Sequence, residues 1–152
     1  MTEFAVDLTR TIAAPRDEVY RALVDPGLLA QWMFPPGAMG GGDVVVEERV
    51  GGRHRVEFRG PNGTTQAFDS VIQELVPGER IVLDFAFEGS EPGQRMDDTV
   101  LTVTLRDAAG GTELRLVHTK ITLTPPFDEQ SVDVGWNGAL NHLESHLRED
   151  PT

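Results

Sequence analysis

The stretch that decides the fold is GWNGALNHLESHL, residues 135–147. Its large apolar residues, Trp136, Leu140, Leu143 and Leu147, are spaced four, three and four positions apart. This spacing is typical of a helix that buries one face against a core. No other part of the chain has so long an apolar stripe, so this helix is the element that must cover whatever precedes it.

Strand patterns precede this helix. Phe4, Val6 and Leu8 alternate with polar residues over residues 3–12, which predicts a half-buried strand. Glycine or proline turns, such as Gly51-Gly52 and Pro77-Gly78, and a loop at 89–97 separate further predicted strands at 44–50, 53–59, 64–76, 81–88, 99–106 and 112–121. Successive hairpins make an antiparallel sheet, and one face of such a sheet needs a cover.

Two short helices are predicted between the first strand and the rest. Pro15 begins one of them, and Asp25-Pro26-Gly27 ends it and begins a second helix that contains Trp32. The fold class that follows is α+β: a curved antiparallel sheet around a long C-terminal helix, closed at one end by the two short helices. We expect residues 1–152 to form a single domain.

The charge and composition exclude several functions. Thirteen basic and 25 acidic residues give a net charge of −12, which disfavours binding to nucleic acid or to anionic lipid. The chain has no cysteine, which removes thiolate metal sites and cysteine nucleophiles. No apolar run approaches the roughly 20 residues needed for membrane insertion. With no signal peptide at the start, a cytoplasmic location is expected.

Five phrases occur along the chain in an order that resembles a known family. They are IAAPRDEVYRALVDPGLLAQW (12–32), EERVGGRHRVEF (47–58), ELVPGERIVLDF (74–85), GGTELRLVHTK (110–120) and the helix quoted above. Together they resemble the activator of heat-shock-protein-90 ATPase homologue family, within the helix-grip superfamily that includes START, Bet v 1-like and polyketide cyclase proteins. The resemblance covers residues 4–148. It implies a helix-grip fold: a seven-stranded antiparallel sheet that grips the C-terminal helix, with a cavity between them.

The resemblance implies three alternative functions. In this superfamily the cavity of different members binds lipids, hormones, flavonoids or polyketides, which favours a small apolar or aromatic ligand. Nothing in the sequence requires a cofactor. A minority of members are enzymes, so a polyketide-cyclase-like activity is the first alternative. In the eukaryotic cochaperone the matching domain contacts the chaperone, so a chaperone-interacting domain is the second. Because fold alone does not fix activity, we regard an enzyme as the less favoured interpretation.

Aromatic residues from separate elements are the candidates for the ligand site. On the expected fold most of them should converge between sheet and helix, with His54 and His118 turned inward by strand alternation, and with Arg95 or Asp84 adding polarity at the edges. Trp32 should anchor its short helix, while Met33, Phe34 and Met39 should form a lid at the cavity mouth. The predicted ligand-binding residues are Trp32, Phe34, Met39, His54, Phe58, Phe68, Phe85, Phe87, His118 and Trp136.

The remaining histidines and the arginines have alternatives that stay open. His118 could be a general acid or base in the cyclase hypothesis, or a structural or ligand-orienting group, and no catalytic residue is assigned. His142 and His146 have the i, i+4 spacing of a metal pair but lie beside the apolar stripe, so we predict surface histidines and no metal site. Arginines 49, 53, 55 and 59 predict a solvated face, with an anion patch or a homodimer contact as alternatives.

Overall fold

The structure is a computed structural model that describes residues 3–34, 37–40, 42–60, 63–89, 95–122 and 129–148. Within these ranges the chain forms seven strands and three helices. In chain order they are β1 (Glu3–Ile12), α1 (Arg16–Val24), α2 (Pro26–Trp32), β2 (Val44–Val46), β3 (Arg53–Arg59), β4 (Thr65–Val76), β5 (Arg80–Glu88), β6 (Arg95–Ala108), β7 (Gly111–Thr122) and α3 (Glu129–Arg148).

The seven strands form one sheet in the order β1-β7-β6-β5-β4-β3-β2, and every neighbouring pair is antiparallel. Consecutive strands from β2 to β7 are neighbours because they are joined as hairpins, and β1 pairs with β7 at the far side. The predicted α+β helix-grip fold, with a curved antiparallel sheet around a long C-terminal helix, is therefore confirmed.

The stripe of α3 packs onto the sheet as its spacing predicts. Leu140 and Leu143 are completely buried, Trp136 is nearly so, and Leu147 packs partly against the same core. Leu114 and Leu116 of β7 lie in that core as well. Burying each such leucine contributes on the order of 1.5–3 kcal/mol, so the contact between α3 and the sheet supplies a large part of the stability.

The two short helices close one end of the sheet. Asp25 caps α2, because its Oδ1 accepts hydrogen bonds from the backbone N–H groups of Gly27 (2.9 Å) and Leu28 (3.2 Å). Trp32 ends α2, is buried, and donates its indole N–H to the carbonyl oxygen of Ala22 in α1 over 2.8 Å. Trp32 therefore ties the two helices together, as its predicted anchoring role requires.

Two predicted boundaries are wrong. The strand expected over 44–50 ends at Val46, because the following residues form the turn itself: Glu47 Oε1 accepts a hydrogen bond from the backbone N–H of Arg53 (2.9 Å). The loop expected over 89–97 is shorter, because β6 begins at Arg95, which lies opposite Glu88. The register of β5 with β6 extends the ladder beyond the residues whose apolar alternation is visible in the sequence.

Bulges in β6 and β7 decide which side chains of these strands face the core. Between the pairs Phe85↔Thr99 and Phe87↔Met96, β5 advances two residues and β6 three. Asp98, with φ 60°, takes up the extra residue, and as a result Met96 and Thr99 are both buried. Lys120, with φ 61°, lies at the corresponding irregularity of β7, where β1 advances two residues and β7 three.

Arg10 links the edge strand β1 to the outer side of α3. Its guanidinium donates hydrogen bonds to Asn137 Oδ1 (2.8 Å), Asn141 Oδ1 (2.7 Å) and Glu144 Oε2 (2.9 Å). These residues are spaced four and three apart, so they form one polar row along the helix.

Among the helices described, none is long and apolar enough to cross a membrane.

Candidate ligand-binding site

Five aromatic rings meet between the concave face of the sheet and the first half of α3. Phe68 is at the centre, with ring centroids 5.0 Å from Phe58, 5.3 Å from Phe85, 5.7 Å from Phe87 and 6.0 Å from Trp136. These spacings lie in the range of favourable aromatic pairs. The five rings, called here the aromatic cluster, come from β3, β4, β5 and α3.

The aromatic cluster is not uniformly buried. Phe58 and Phe85 are only 1% exposed, whereas Phe68 and Phe87 remain partly exposed although they are on the concave side of the sheet. Phe68 and Phe87 are directly opposite each other in the ladder between β4 and β5. The cluster therefore has a closed side toward the core and an accessible side at this pair.

A chain of hydrogen bonds runs behind the cluster. Trp136 Nε1 lies 3.1 Å from His118 Nδ1, His118 Nε2 lies 2.8 Å from Thr99 Oγ1, and Thr99 Oγ1 donates to the carbonyl oxygen of Phe85 over 2.8 Å. An indole nitrogen can only donate, so Nδ1 of His118 accepts. Thr99 uses its single proton on Phe85, so its oxygen accepts from His118 Nε2–H. The network assigns a neutral His118 protonated at Nε2.

The chemistry open to His118 is limited by this network. Burial lowers the pKa of His118 to about 4, because the charged imidazolium would lose its hydration without gaining a carboxylate partner. Both ring nitrogens are occupied, so neither is available to take a proton from a substrate in this arrangement. The hydrogen bonds of His118 hold Trp136 and Thr99 in place behind the aromatic cluster. This arrangement favours the structural role over the general acid or base role, the two interpretations that the sequence left open.

His54 lies deeper in the core. Its Nε2 is 2.8 Å from the carbonyl oxygen of Leu23 in α1, and burial lowers its pKa. His54 and Trp32 both line a small void of ≈ 20 Å³ that also touches Trp136. That volume is about enough for one water molecule, so the packing between α2, the sheet and the middle of α3 is tight.

Phe34 and Met39 lie away from the aromatic cluster. The ring of Phe34 packs against the imidazole of His142 with centroids 4.5 Å apart, and both line an open groove of ≈ 480 Å³ between α2 and α3. Met39 is 66% exposed, and its backbone is held by two hydrogen bonds to Arg59. Met33 is buried, so only Phe34 and Met39 of the predicted lid reach the surface.

The remaining polar candidates do not join the aromatic cluster. Asp84 alternates with the buried residues Leu83 and Phe85 and so lies on the convex side of β5; the suggestion that it borders the cavity is wrong. Arg95 begins β6, and its side chain is outside what the structure describes. Across the described ranges no group of three or more His, Cys, Asp or Glu residues could hold a metal ion.

The arginine-rich strand forms ion pairs on the convex face. Arg55 lies 3.3 Å from carboxylate oxygens of both Asp69 and Glu88, and Arg53 lies 3.3 Å from Asp69. The strand β4 and the neighbouring β5 supply these carboxylates, so the positive charges are paired within the chain. This pairing supports the solvated-face interpretation over an anion-binding patch.

Two buried polar residues are absent from the sequence-based site. Thr99 completes the hydrogen-bond chain, and Ser70 lies on the concave face of β4 between Phe68 and Ile72. Alternation with apolar neighbours would have placed both side chains inward. The signal is a single hydroxyl residue at an inward position, which is common in strands and does not by itself indicate a site.

Comparisons with known proteins agree with this architecture. The sequence profile of the family described as "Activator of Hsp90 ATPase homolog 1-like protein" matches residues 13–148. A crystal structure of a protein from Chromobacterium violaceum is 31% identical with a TM-score of 0.78, and the match covers 96% of this chain and 98% of that one. No match was found among curated proteins.

Two further solved structures extend the likeness. A protein from Rhizobium leguminosarum is 25% identical with a TM-score of 0.83, covering 98% of this chain and 97% of its own. A protein from Rhodobacter sphaeroides is 24% identical with a TM-score of 0.77, covering 97% and 95%, and it supports the fold alone. The chain thus belongs to the family of Activator of Hsp90 ATPase homolog 1-like proteins.

Proposed function

We propose that this protein binds a small, neutral, apolar or aromatic molecule against the aromatic cluster, between the concave face of the sheet and the first half of α3. One observation carries the proposal. Phe68 and Phe87 stay partly exposed on the face of the sheet that otherwise forms the core. Large aromatic side chains in such a position are costly to leave in water, and a bound ligand would cover them.

The polar groups near the cluster favour a neutral ligand. The side-chain atoms of His118, Thr99 and Trp136 are already paired with one another or with backbone. The carboxylate of Glu88, which follows Phe87 in β5, is engaged by Arg55. A charged ligand group would lose hydration there without gaining a partner, whereas an apolar ring would gain stacking contacts.

The proposal is tested by extraction and titration. Purified protein is extracted with organic solvent, and the extract is analysed by mass spectrometry for a compound present in stoichiometric amount. Naphthalene, a long-chain alcohol and a sterol are then titrated into extracted protein by isothermal titration calorimetry. We expect Phe87→Ser to weaken binding of whichever compound binds by roughly tenfold, because about 1.4 kcal/mol of apolar contact is lost.

Val71→Ser is the matched control. Val71 is 45% exposed and lies opposite Asp84, on the convex face, so its replacement removes an exposed apolar group from the same sheet without touching the cluster. Equal effects of the two substitutions on binding would contradict the proposed location. A protein that carries no compound and binds no member of the panel would contradict the proposed function.

The two alternatives have weaker support. A cyclase-like reaction would need a free acid or base near the cluster, and His118 has both nitrogens occupied. A chaperone contact would need a docking surface, and a pull-down with the bacterial chaperone at low and high salt would test it. The cytoplasmic location and a homodimer through a sheet edge also stay proposals, which cell fractionation and sedimentation would test.

A further inference from the structure

Two histidines of α3 line the open groove between α2 and α3. His142 and His146 are one helical turn apart, both are half-buried, and both line the ≈ 480 Å³ space that Phe34 also borders. Side chains at positions i and i+4 of a helix are neighbours, with Cβ atoms about 5–6 Å apart. The spacing alone predicts surface histidines, whereas the structure places both side chains along one recess.

Neither of these two imidazoles is used by the fold. Nδ1 of His142 is shielded from solvent and has no partner among the described residues, which leaves Nε2 as the nitrogen that can face the groove. The side chain of His146 also makes no hydrogen bond or ion pair within the part of the chain that the structure describes. By contrast, Nε2 of His54 and Nε2 of His118 are already hydrogen-bonded in the core. His142 and His146 therefore keep nitrogen lone pairs that a bound ion could use.

The imidazole of His142 is held in one orientation. Its ring packs against Phe34 with centroids 4.5 Å apart and an interplanar angle of 31°. Phe34 is itself in close contact with the backbone at Gly40, where an added Cβ would come within 2.6 Å of Phe34 Cε1. A ring that is already ordered loses little rotamer entropy when it binds an ion. The packing around Phe34 therefore prepares His142 to act as a ligand.

We propose that His142 and His146 together bind one divalent transition-metal ion, through Nε2 of His142 and a ring nitrogen of His146, with water in the remaining positions. Two histidines at i and i+4 on one helix face are a recurring arrangement for such ions. Imidazole suits zinc, nickel and copper, whereas magnesium and calcium prefer oxygen ligands. The net charge of −12 favours a cation over an anion in the groove.

This site would differ from a structural zinc site. The described ranges hold no group of three or more His, Cys, Asp or Glu residues around a possible ion, so only two protein ligands are available and the other positions stay open to exchange. Neither histidine belongs to the aromatic cluster. The inference therefore goes beyond the proposed function, and either can fail without the other.

Calorimetric titration of the tag-free protein with nickel chloride tests the inference, at pH 7.5 because a metal binds the unprotonated imidazole. We expect a single nickel site per chain and no comparable binding of magnesium chloride. His142→Phe and His146→Gln should each weaken nickel binding by at least about tenfold, because a single imidazole lacks the high effective concentration of the second. Ser145→Ala is the matched control: Ser145 lines the same groove, and its loss should change the affinity by less than about twofold.

Melting temperatures provide a second measurement. His142→Phe keeps a ring against Phe34 and removes the unpartnered Nδ1, so its melting temperature should not fall; if it nevertheless fails to fold, His146→Gln decides the outcome. Saturating nickel should raise the melting temperature of the unmodified protein more than that of His146→Gln. Equal nickel affinity in the unmodified protein and His146→Gln overturns the inference, as does magnesium binding of the same strength, which would indicate surface carboxylates.

Discussion

The indole N–H of Trp136 donates to Nδ1 of His118 across 3.1 Å, and this bond joins α3 to β7 inside the core. Trp136→Phe keeps an aromatic ring but leaves His118 Nδ1 unpartnered. We expect a loss of about 1–3 kcal/mol in the free energy of unfolding, measured by urea denaturation. A double-mutant cycle with His118→Leu should show a clear coupling energy, and strictly additive losses would contradict the bond.

Stability should depend on pH through His118. Its pKa is about 4 in the folded protein and near 6.5 in an unfolded chain. Between these values only the unfolded state binds the proton, so the free energy of unfolding falls as the pH falls, by up to about 1.4 kcal/mol per pH unit. Well above pH 6.5 neither state binds the proton, so this group contributes no pH dependence there. Urea denaturation between pH 5 and 8 measures the slope.

His118→Asn provides the control for this slope. The asparagine oxygen can accept from Trp136, and the side chain does not titrate near neutrality. Between pH 5 and 6, the slope of the free energy of unfolding against pH should be smaller in this variant by about 1.4 kcal/mol per pH unit, which corresponds to one proton. The slope that remains should include His54, whose pKa is lowered in the same direction. An unchanged slope would show that His118 is protonated in the folded state.

Arg10 should stabilise the attachment of α3 to β1. Its side chain is 19% exposed and contacts Glu144 and two asparagines, so Arg10→Gln should cost about 2 kcal/mol. Arg106→Gln is the matched control, because the pair of Arg106 with Glu113 has the arginine 76% exposed and should contribute less than about 1 kcal/mol. Equal losses in thermal denaturation would contradict a special role for Arg10.

Asp98 should tolerate glycine but not valine. Its φ of 60° is accessible to aspartate and free of strain for glycine, whereas a β-branched residue clashes there. We expect Asp98→Gly to change the free energy of unfolding by less than about 1 kcal/mol. Asp98→Val should cost about 1–2 kcal/mol and disturb the hydrogen bond of Thr99. Tryptophan fluorescence reports that disturbance through Trp136.

The two surface members of the predicted lid should behave differently from each other. Met39→Ser should leave the melting temperature unchanged, because its side chain is 66% exposed. Phe34→Ser should lower it, because the ring packs on His142. Neither should alter binding at the aromatic cluster, because Phe34 lines the groove between α2 and α3 and the backbone of Met39 is held by Arg59. A strong effect of Met39→Ser on naphthalene binding would restore the lid hypothesis.

The sequence predicts the fold well because the deciding patterns are local. The 4-3-4 spacing around Trp136 and Leu140 and the alternation through Phe85 and Phe87 identify the buried faces directly. The strand ends are less predictable. β6 begins four residues before Thr99 because of its register with β5, and register depends on contacts distant in sequence.

The site is only partly predictable for the same reason. Phe58, Phe68 and Trp136 meet because each lies on the apolar face of its strand or helix. The inward position of His118 follows from the alternation of apolar and polar residues along β7. Thr99 accepts the hydrogen bond from Nε2 of His118 because the bulge at Asp98 turns Thr99 inward. No local sequence pattern predicts that bulge. Phe34 follows Trp32 and Met33 in sequence, and its ring lines the groove between α2 and α3.

The bulges at Asp98 and Lys120 also set how this chain can change length during evolution. At each bulge two residues oppose one residue of the partner strand, so losing one of the two would restore a regular ladder and keep the same side chains facing the core. Any other single insertion or deletion within these strands would turn the segment beyond it over and present its polar side chains to the core. The turn at Gly110, by contrast, is exposed and could absorb insertions with little consequence. Descendants of this sequence should therefore vary in length at hairpin tips or by the loss of a bulge residue, while the other spacings within β6 and β7 stay fixed.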